Sequence, residues 1–333
     1  MKKIRIAQIG TNRLSHGPDI FITLKSLPEL FDIAGYVLVE DERETCAHRL
    51  HAFDGYPELT LDQVLNDPTI EAVTVETDEI HLTKYALMAA EHGKHIHMEK
   101  PGSPNLSDFE KLIDTVKAGG KVFHLGYMYR YNPYISDAVK RAKKGELGEI
   151  FSVEAHMSRL DNEDTRRWLK NFPGGMMFYL GCHLVDLVLQ IQGMPKQIIP
   201  LNCSTDPDGI GTEDYAMAVM KYHNGVSFIK TCATEIGGGN RRQLVISGTN
   251  GTIEVKPLEI HAKGENFPHR VEKSERIRNT EHKHELSDVF DRYKTMIQAF
   301  AAMVRGEITN PYTCDYELVL FKTLLTCCGV DNE

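Results

Sequence analysis

Apolar positions along this chain follow two rhythms, and the change between them falls near Asn132-Pro133. Before that point, short apolar runs at 4–9, 33–39, 72–76, 95–98 and 122–126 read as strands. They alternate with helix-period segments at 19–27, 44–53, 61–65, 80–92 and 108–118. Thr60-Leu-Asp-Gln and Asn105-Leu-Ser-Asp carry N-cap chemistry ahead of two of those helices. Alternating β and α elements predict a doubly wound parallel sheet, with every strand exit on one edge. After Asn132-Pro133 one helix (134–144) gives way to longer strands at 150–158, 215–222, 226–234, 242–247 and 252–255. Asn224-Gly225 and Asn250-Gly251 are hairpin signals between them. Helical segments at 176–192, 288–305 and 315–328 would flank that second sheet, and the polar stretch 263–283 reads as a surface excursion. The expected architecture is α/β, with a Rossmann-type dinucleotide-binding domain over 1–128. An α+β domain over 129–333 follows, built on a large, mostly antiparallel open sheet.

Length and charge agree with this division. A chain of 333 residues exceeds one average core. The net charge of −9 speaks against a polyanionic partner such as nucleic acid. Seven scattered cysteines, odd in number and with no Cys-x-x-Cys pair, read as reduced thiols of a cytoplasmic protein. The N-terminus has no signal-peptide apolar core, and the most apolar stretch, 178–191, is broken by His183 and Asp186. No membrane partner is expected.

Candidate chemistry gathers at the exits of the first set of strands, the edge at which open parallel sheets bind ligands. The first strand runs into Gly10-Thr-Asn12-Arg-Leu-Ser15, where only Gly10 keeps the register of a Gly-x-Gly-x-x-Gly fingerprint. Asn12 tolerates left-handed backbone and Ser15 is small, so a tight turn survives, although an ordinary βα turn would read the same. Glu40-Asp41 closes the second strand, where an acid would bind the adenosine ribose hydroxyls and repel a 2′-phosphate. A solvated acidic turn is the plainer reading of the same residues. The fourth strand ends in Met98-Glu99-Lys100-Pro101, which holds a lysine on extended backbone at the ligand-binding edge.

Five elements, taken in order, resemble the glucose–fructose oxidoreductase / inositol dehydrogenase (Gfo/Idh/MocA) family. They are the opening strand with its Gly10 turn, Thr77 after the third strand, Glu99-Lys100-Pro101, Tyr129-Arg130-Tyr131-Asn132-Pro133, and Gly174-Gly175-x3-Tyr179-x-Gly181-x-His183-x2-Asp186. The resemblance implies a Rossmann domain followed by an α/β substrate domain whose open sheet forms oligomer contacts, hence a homo-oligomer (dimer or tetramer). It implies NAD(P)-dependent oxidation or reduction of sugars and cyclitols. It also implies that Lys100 and His183 are catalytic, that Glu99 and Pro101 shape the nicotinamide pocket, and that Asn132 lies close to cofactor and substrate. Two departures stand out. The family's usual Thr-Pro-Asn-x-x-His is here Thr77-Asp78-Glu79-Ile80-His81-Leu82, and its Asp-x-Gly-x-His is here Tyr179-Leu-Gly-Cys-His183.

The chemistry of hydride transfer asks for these residue types independently. Oxidising a carbinol needs a proton acceptor and a positive charge for the developing alkoxide. Lys100 supplies the charge, and His183, titrating near neutrality, accepts the proton. Tyr179 lies four residues before His183, on the same helical face, and offers a phenol to a sugar hydroxyl or to a proton path. Asp186 is spaced to orient the imidazole. Tyr129 and Trp168 complete a candidate substrate set, with Trp168, in a loop-like stretch, either a stacking platform or a packing aromatic. His95 and His97 share a strand face but lack a third ligand, so no metal is expected. Gly237-Gly238-Gly239 reads as a hairpin connection.

The leading expectation is an NAD-dependent oxidoreductase, with NADP disfavoured, acting on a secondary hydroxyl of a sugar, glycoside or cyclitol. The alternative motivated by Tyr179 is a glycoside-cleaving enzyme that oxidises C3 transiently and eliminates the aglycone. A non-catalytic sugar or nucleotide sensor is the reading from another class.

Overall fold

The computed structural model describes residues 2–330. The chain forms two units: one of residues 2–127 with Tyr293–Val319, the other of Met128–Arg292 with 320–330. The segment 293–319, which the sequence assigned to the second domain, thus returns to the first. Its helix explains why: it buries Met296, Ile297, Phe300, Ala301 and Met303 along one face. The Phe300 ring stacks on His124 of the first sheet at 5.6 Å. A helical period tells that a face is buried, not which sheet buries it.

The first unit is a five-stranded parallel sheet in the order β2-β1-β3-β4-β5. Its strands are β1 (Ile4–Ile9), β2 (Phe31–Val37), β3 (Ala72–Val75), β4 (His95–Met98) and β5 (Phe123–Leu125). Between them run α1 (Gly17–Lys25), the short α2 (Glu42–Thr45), α3 (Leu61–Asn66), α4 (Leu82–Glu91) and α5 (Leu106–Gly119). β1 and β3 are buried along nearly all their length, as a parallel sheet covered on both faces requires, while β2 at the sheet's edge exposes Asp32. The helix signals act as read: Thr60 and Gln63 close a capping box on α3, and Asn105 accepts from Ser107 and Asp108 at the start of α5. Right-handed crossovers bring the exits of all five strands to one edge.

The second unit carries an eight-stranded sheet in the order β15-β14-β11-β10-β6-β9-β8-β7. These strands are β6 (Ile150–His156), β7 (Gln197–Pro200), β8 (Tyr215–Lys221), β9 (Val226–Cys232), β10 (Gln243–Gly248), β11 (Gly251–Val255), β14 (Glu272–Ile277) and β15 (Lys283–Leu286). All neighbours are antiparallel except β6 and β9, which pair in parallel. A small three-stranded sheet joins β12 (Ile260–His261), β13 (Pro268–Arg270) and β16 (Phe290–Asp291). The stretch 263–283 is therefore not a surface excursion: β14 lies inside the main sheet, paired on both sides. Its polarity has a local cause. Lys273 and Glu275 are buried against each other and against Arg141, so charges replace the apolar alternation that marks a strand. Helices α6 (Pro133–Lys143), α7 (Glu163–Leu169) and α8 (Cys182–Gln192) belong to this unit, and α8 is buried from Cys182 to Gln190. After α9 (Lys294–Val304), the final helix, α10 (Cys314–Cys327), begins in the first unit and ends in the second. Among the described residues no helix is long and apolar enough to cross a membrane.

Candidate active site

The exits of β1, β3 and β4 in the first unit hold most of the residues singled out in the sequence. Gly10 has φ +79°, and a Cβ there would stand 2.6 Å from Cβ of Thr77 and 3.0 Å from a carboxylate oxygen of Glu42, so only glycine fits the close approach. Asn12 does the work of the missing second glycine by holding the turn with its side chain. Its Oδ1 accepts from the backbone N–H of Leu14 and Ser15 (2.7 and 3.4 Å), and its Nδ2 donates to Glu79 Oε2 at 2.6 Å and to the Thr77 carbonyl at 3.3 Å. Arg49, unremarked in the sequence, clamps the turn from outside by donating to the carbonyls of Asn12 and Ser15. Thr11 Oγ1 and Ser15 Oγ on the same turn are buried without a hydrogen-bond partner among the described residues. Hydroxyl donors left open on a glycine turn before a helix suit the phosphates of a dinucleotide.

Two acids follow β2, and both are engaged by side chains or backbone. Glu40, at φ +51°, turns onto α4: it accepts from Lys84 Nζ at 2.7 Å and from the Tyr85 hydroxyl at 2.8 Å. Those two hydrogen bonds hold its carboxyl below the usual carboxylate range. Glu42, two residues on, folds back under Gly10. It accepts from Thr77 Oγ1 at 2.6 Å and from the backbone N–H of Val39 at 2.8 Å. Burial raises its pKa to about 7, against the pull of those bonds. β2 ends at Val37, two positions earlier than the apolar pattern indicates.

Lys100 and Glu99 leave β4 together, 2 % and 3 % exposed, with Nζ 3.6 Å from Glu99 Oε1. The Lys100–Pro101 peptide is cis. Two further carboxyls, neither assigned a role from sequence, share this edge: Glu76 and Glu79 at the exit of β3, both fully buried. Neither oxygen of Glu76 has a hydrogen-bond partner among the described residues, nor has Glu79 Oε1. Burial, and the other carboxyls, push the Glu76 carboxyl well up; burial raises Glu79 to about 8, against the pull of Lys100. A charged residue closing an otherwise apolar strand was the signal for Glu76. For Glu79 it was the acid standing where the family pattern has asparagine. His97 faces His124 across β4 and β5, Nδ1 to Nδ1 at 2.8 Å, and has Nε2 3.5 Å from Glu76. Burial lowers its pKa to about 3, so it is a neutral core histidine. Among the described residues no group of His, Cys, Asp or Glu is arranged to hold a metal.

The second unit holds the other candidates. Gly175 begins the approach to α8 with φ +44°, where a Cβ would stand 2.4 Å from the Glu213 carbonyl. One wide π-turn (Met177–Gly181) then leads into α8 and carries Tyr179, with His183 in the first turn of α8 itself. Such turns recur at functional sites because they re-aim side chains. His183 is 2 % exposed and meets the edge of Tyr129, ring centroids 5.4 Å apart at 67°. Burial pushes the Tyr129 hydroxyl above its ordinary range. The Tyr179 ring lies under Arg159, 5.2 Å from centroid to guanidinium carbon. Burial opposes the charge of Arg159, yet Tyr179 and Asp161 keep it firmly protonated.

One reading changes here and two residues gain structural partners. Trp168 stands in helix α7, not in a loop; its indole is buried edge-on between Phe172 and Tyr179 at 4.7 and 4.9 Å, the packing alternative rather than an open platform. Asp186 takes both Nε and Nη2 of Arg130 and the amide of Gln190, and so fixes Arg130. Asn132 caps α6 through Oδ1, accepting from Tyr134 and Ile135. Gly237-Gly238-Gly239 does lie in the connection from β9 to β10, as a short 3-10 turn.

Comparison with known proteins speaks to the family and the fold. Residues 4–127 match the family model for the oxidoreductase family with NAD-binding Rossmann fold, and residues 135–254 match the GFO/IDH/MocA C-terminal domain. The NAD(+)-dependent scyllo-inositol 2-dehydrogenase of Bacillus subtilis is 26 % identical over 279 residues, covering 80 % of this chain and 79 % of its own. The NADP(+)-dependent scyllo-inositol 2-dehydrogenase of the same organism is 24 % identical over 270 residues, covering 77 % and 75 %. Among solved structures, an aldose-aldose oxidoreductase from Caulobacter crescentus, complexed with glycerol, superposes with a TM-score of 0.80 over 98 % of both chains at 15 % identity, a likeness of fold.

Proposed function

The chain belongs to the Gfo/Idh/MocA oxidoreductase family, and on that premise we propose that it moves a hydride between NAD and a secondary hydroxyl or ketone of a sugar, glycoside or cyclitol. The observation that carries this reading is Lys100, a buried lysine beside Glu99 at the ligand-binding edge of a parallel sheet. The inositol dehydrogenases among its relatives support the substrate class.

A bound nicotinamide dinucleotide supplies the hydride acceptor. The remaining work falls to this chain. Gly10, Thr11, Asn12 and Ser15 cradle the phosphates from the first turn, with Thr77 behind them. Glu99 and Pro101 fix Lys100, whose ammonium stabilises the alkoxide that develops as the hydride leaves. His183, bounded by the Tyr129 ring, takes the hydroxyl proton. Tyr179, held by Arg159, hydrogen-bonds a further hydroxyl of the substrate and sets its orientation. Glu42, rather than Glu40, discriminates between cofactors: it is the acid after β2 that folds back toward the first turn, and as a carboxylate beside the adenosine ribose it would meet a 2′-phosphate with like charge. That arrangement favours NAD over NADP. A second copy of the chain covers the open face of the eight-stranded sheet, where Val226 is exposed at its rim.

Incubation with NAD and a panel of inositols, monosaccharides and glycosides, followed by absorbance of the reduced nicotinamide, tests this. Reduction with at least one cyclitol or sugar is expected. No turnover in either direction, together with no nucleotide binding by calorimetry, overturns it.

A further inference from the structure

The mechanism above leaves two of the most deeply buried acids in the first unit unused. Glu99 stands 3.6 Å from the Lys100 ammonium, Glu76 and Glu79 interact with the same lysine through space, and none of the four is more than 3 % exposed. The groups that face them come from every neighbouring element. Asp19 on α1 and Glu99 act on Glu76, as does Lys100. His97 on β4 lies 3.5 Å from Glu76 and is neutral, so it contributes no compensating charge. Asn12 on the first turn holds one oxygen of Glu79, while Lys100, Asp78 and Glu99 act on it through space. Three ionised carboxylates around one lysine would leave an uncompensated charge of two in a water-excluded pocket, which proteins avoid by binding protons. The carboxyls also lack what stabilises a buried anion. Glu76 accepts no hydrogen bond among the described residues, and Glu79 Oε1 accepts none.

We propose that Glu79, with Glu76 behind it, holds a proton beside Lys100 and releases it when a cationic ring comes to rest at this edge of the sheet. NAD+ then binds with proton release, and NADH binds without it. This rests on the reading of the first unit as a nicotinamide dinucleotide site. The charge balance closes through the reaction. In oxidation the substrate C–H bond breaks and its electron pair passes with the hydrogen to the ring, which loses its positive charge. The O–H bond breaks and its proton passes to the protein. The carboxyl takes up one proton from solvent as the ring becomes neutral, so ring and carboxyl together carry the same charge before and after the step. Both acids are positioning residues in this account: they set the charge of the site and touch neither substrate nor reacting atoms.

Calorimetric titration of the whole protein with NAD+ and, separately, with NADH near pH 7, in buffers of different ionisation enthalpy, counts the protons. The expected slope is roughly one proton released per NAD+ and none per NADH. The Kd for NAD+ then falls by up to about tenfold per pH unit on the acid side of the Glu79 transition. Glu79→Gln should abolish the release and flatten that pH dependence, and Glu76→Gln should reduce it. Both keep the side-chain shape, and a thermal melt checks that they fold. NAD+ binding with no more proton release than NADH, or unchanged release in the Glu76→Gln/Glu79→Gln double variant, overturns the inference while leaving the nucleotide site standing. Failure of both nucleotides to bind overturns the site and the inference together.

Discussion

Asp186 receives Arg130 through two guanidinium nitrogens, Nε at 3.0 Å and Nη2 at 2.8 Å, in a pair almost wholly shielded from water. Gln190 Nε2, one turn along α8, donates to the same carboxylate at 2.8 Å. The pair ties the segment after β5 to the helix that carries His183. Removing one partner strands a buried charge. Asp186→Asn should therefore lower unfolding free energy by about 3–5 kcal/mol, read as a shift in denaturant midpoint. A pH–rate profile displaced by Asp186→Asn without loss of stability would show instead that Asp186 acts on the imidazole.

Lys100→Ala should leave NAD affinity within a few-fold and lower turnover by roughly 10² or more, the scale of losing one electrostatic stabiliser of an oxyanion. Binding by calorimetry and steady-state rates separate the two. Unchanged turnover would make Lys100 a structural lysine.

His183→Ala should remove the rise of oxidation rate with pH through the neutral range, since the neutral imidazole accepts the proton. If the profile persists, the base is another group, with Tyr179 the first to examine.

Glu42 carries a stability prediction with a definite sign. Its folded pKa, about 7, lies above the unfolded carboxyl value near 4.5. The protonated form is thus favoured in the folded state, and stability from this group is present below pH 4.5 and lost as pH rises toward 7. Glu42→Gln removes that loss. Its melting temperature relative to wild type should be higher at pH 8 than at pH 4, and its preference for NAD over NADP should narrow. Glu40→Ser should leave the preference unchanged, because Glu40 is engaged by Lys84 and Tyr85. A pH-independent difference in melting temperature would contradict the burial of an ionisable Glu42.

What the sequence made legible follows from what repeats locally. β1 and β4 fall at the residues the apolar runs mark, because a strand buried on both faces needs a continuous apolar run. The capping residues Thr60 and Asn105 act within four residues of themselves and were readable for that reason. Contacts distant in sequence were not. The hold on Glu40 comes from Tyr85, forty-five positions away. The partner of Asp186 lies fifty-six positions back, and the return of α9 to the first sheet turns on Phe300 meeting His124. Strand β14 was hidden because its inward residues are charged and paired. The acids Glu76 and Glu79 stood in plain view, but only the packing shows them buried at the same strand exits as Lys100.

The central claim is hydride transfer itself, and isotope tracing tests it most directly. A cyclitol or sugar that the protein turns over is deuterated at the carbinol carbon and incubated with NAD, and the nicotinamide is recovered for proton NMR. The account predicts deuterium at C4 of the reduced ring, on one face only, and loss of that transfer in Lys100→Ala. Product formed with no deuterium on the nicotinamide would contradict it.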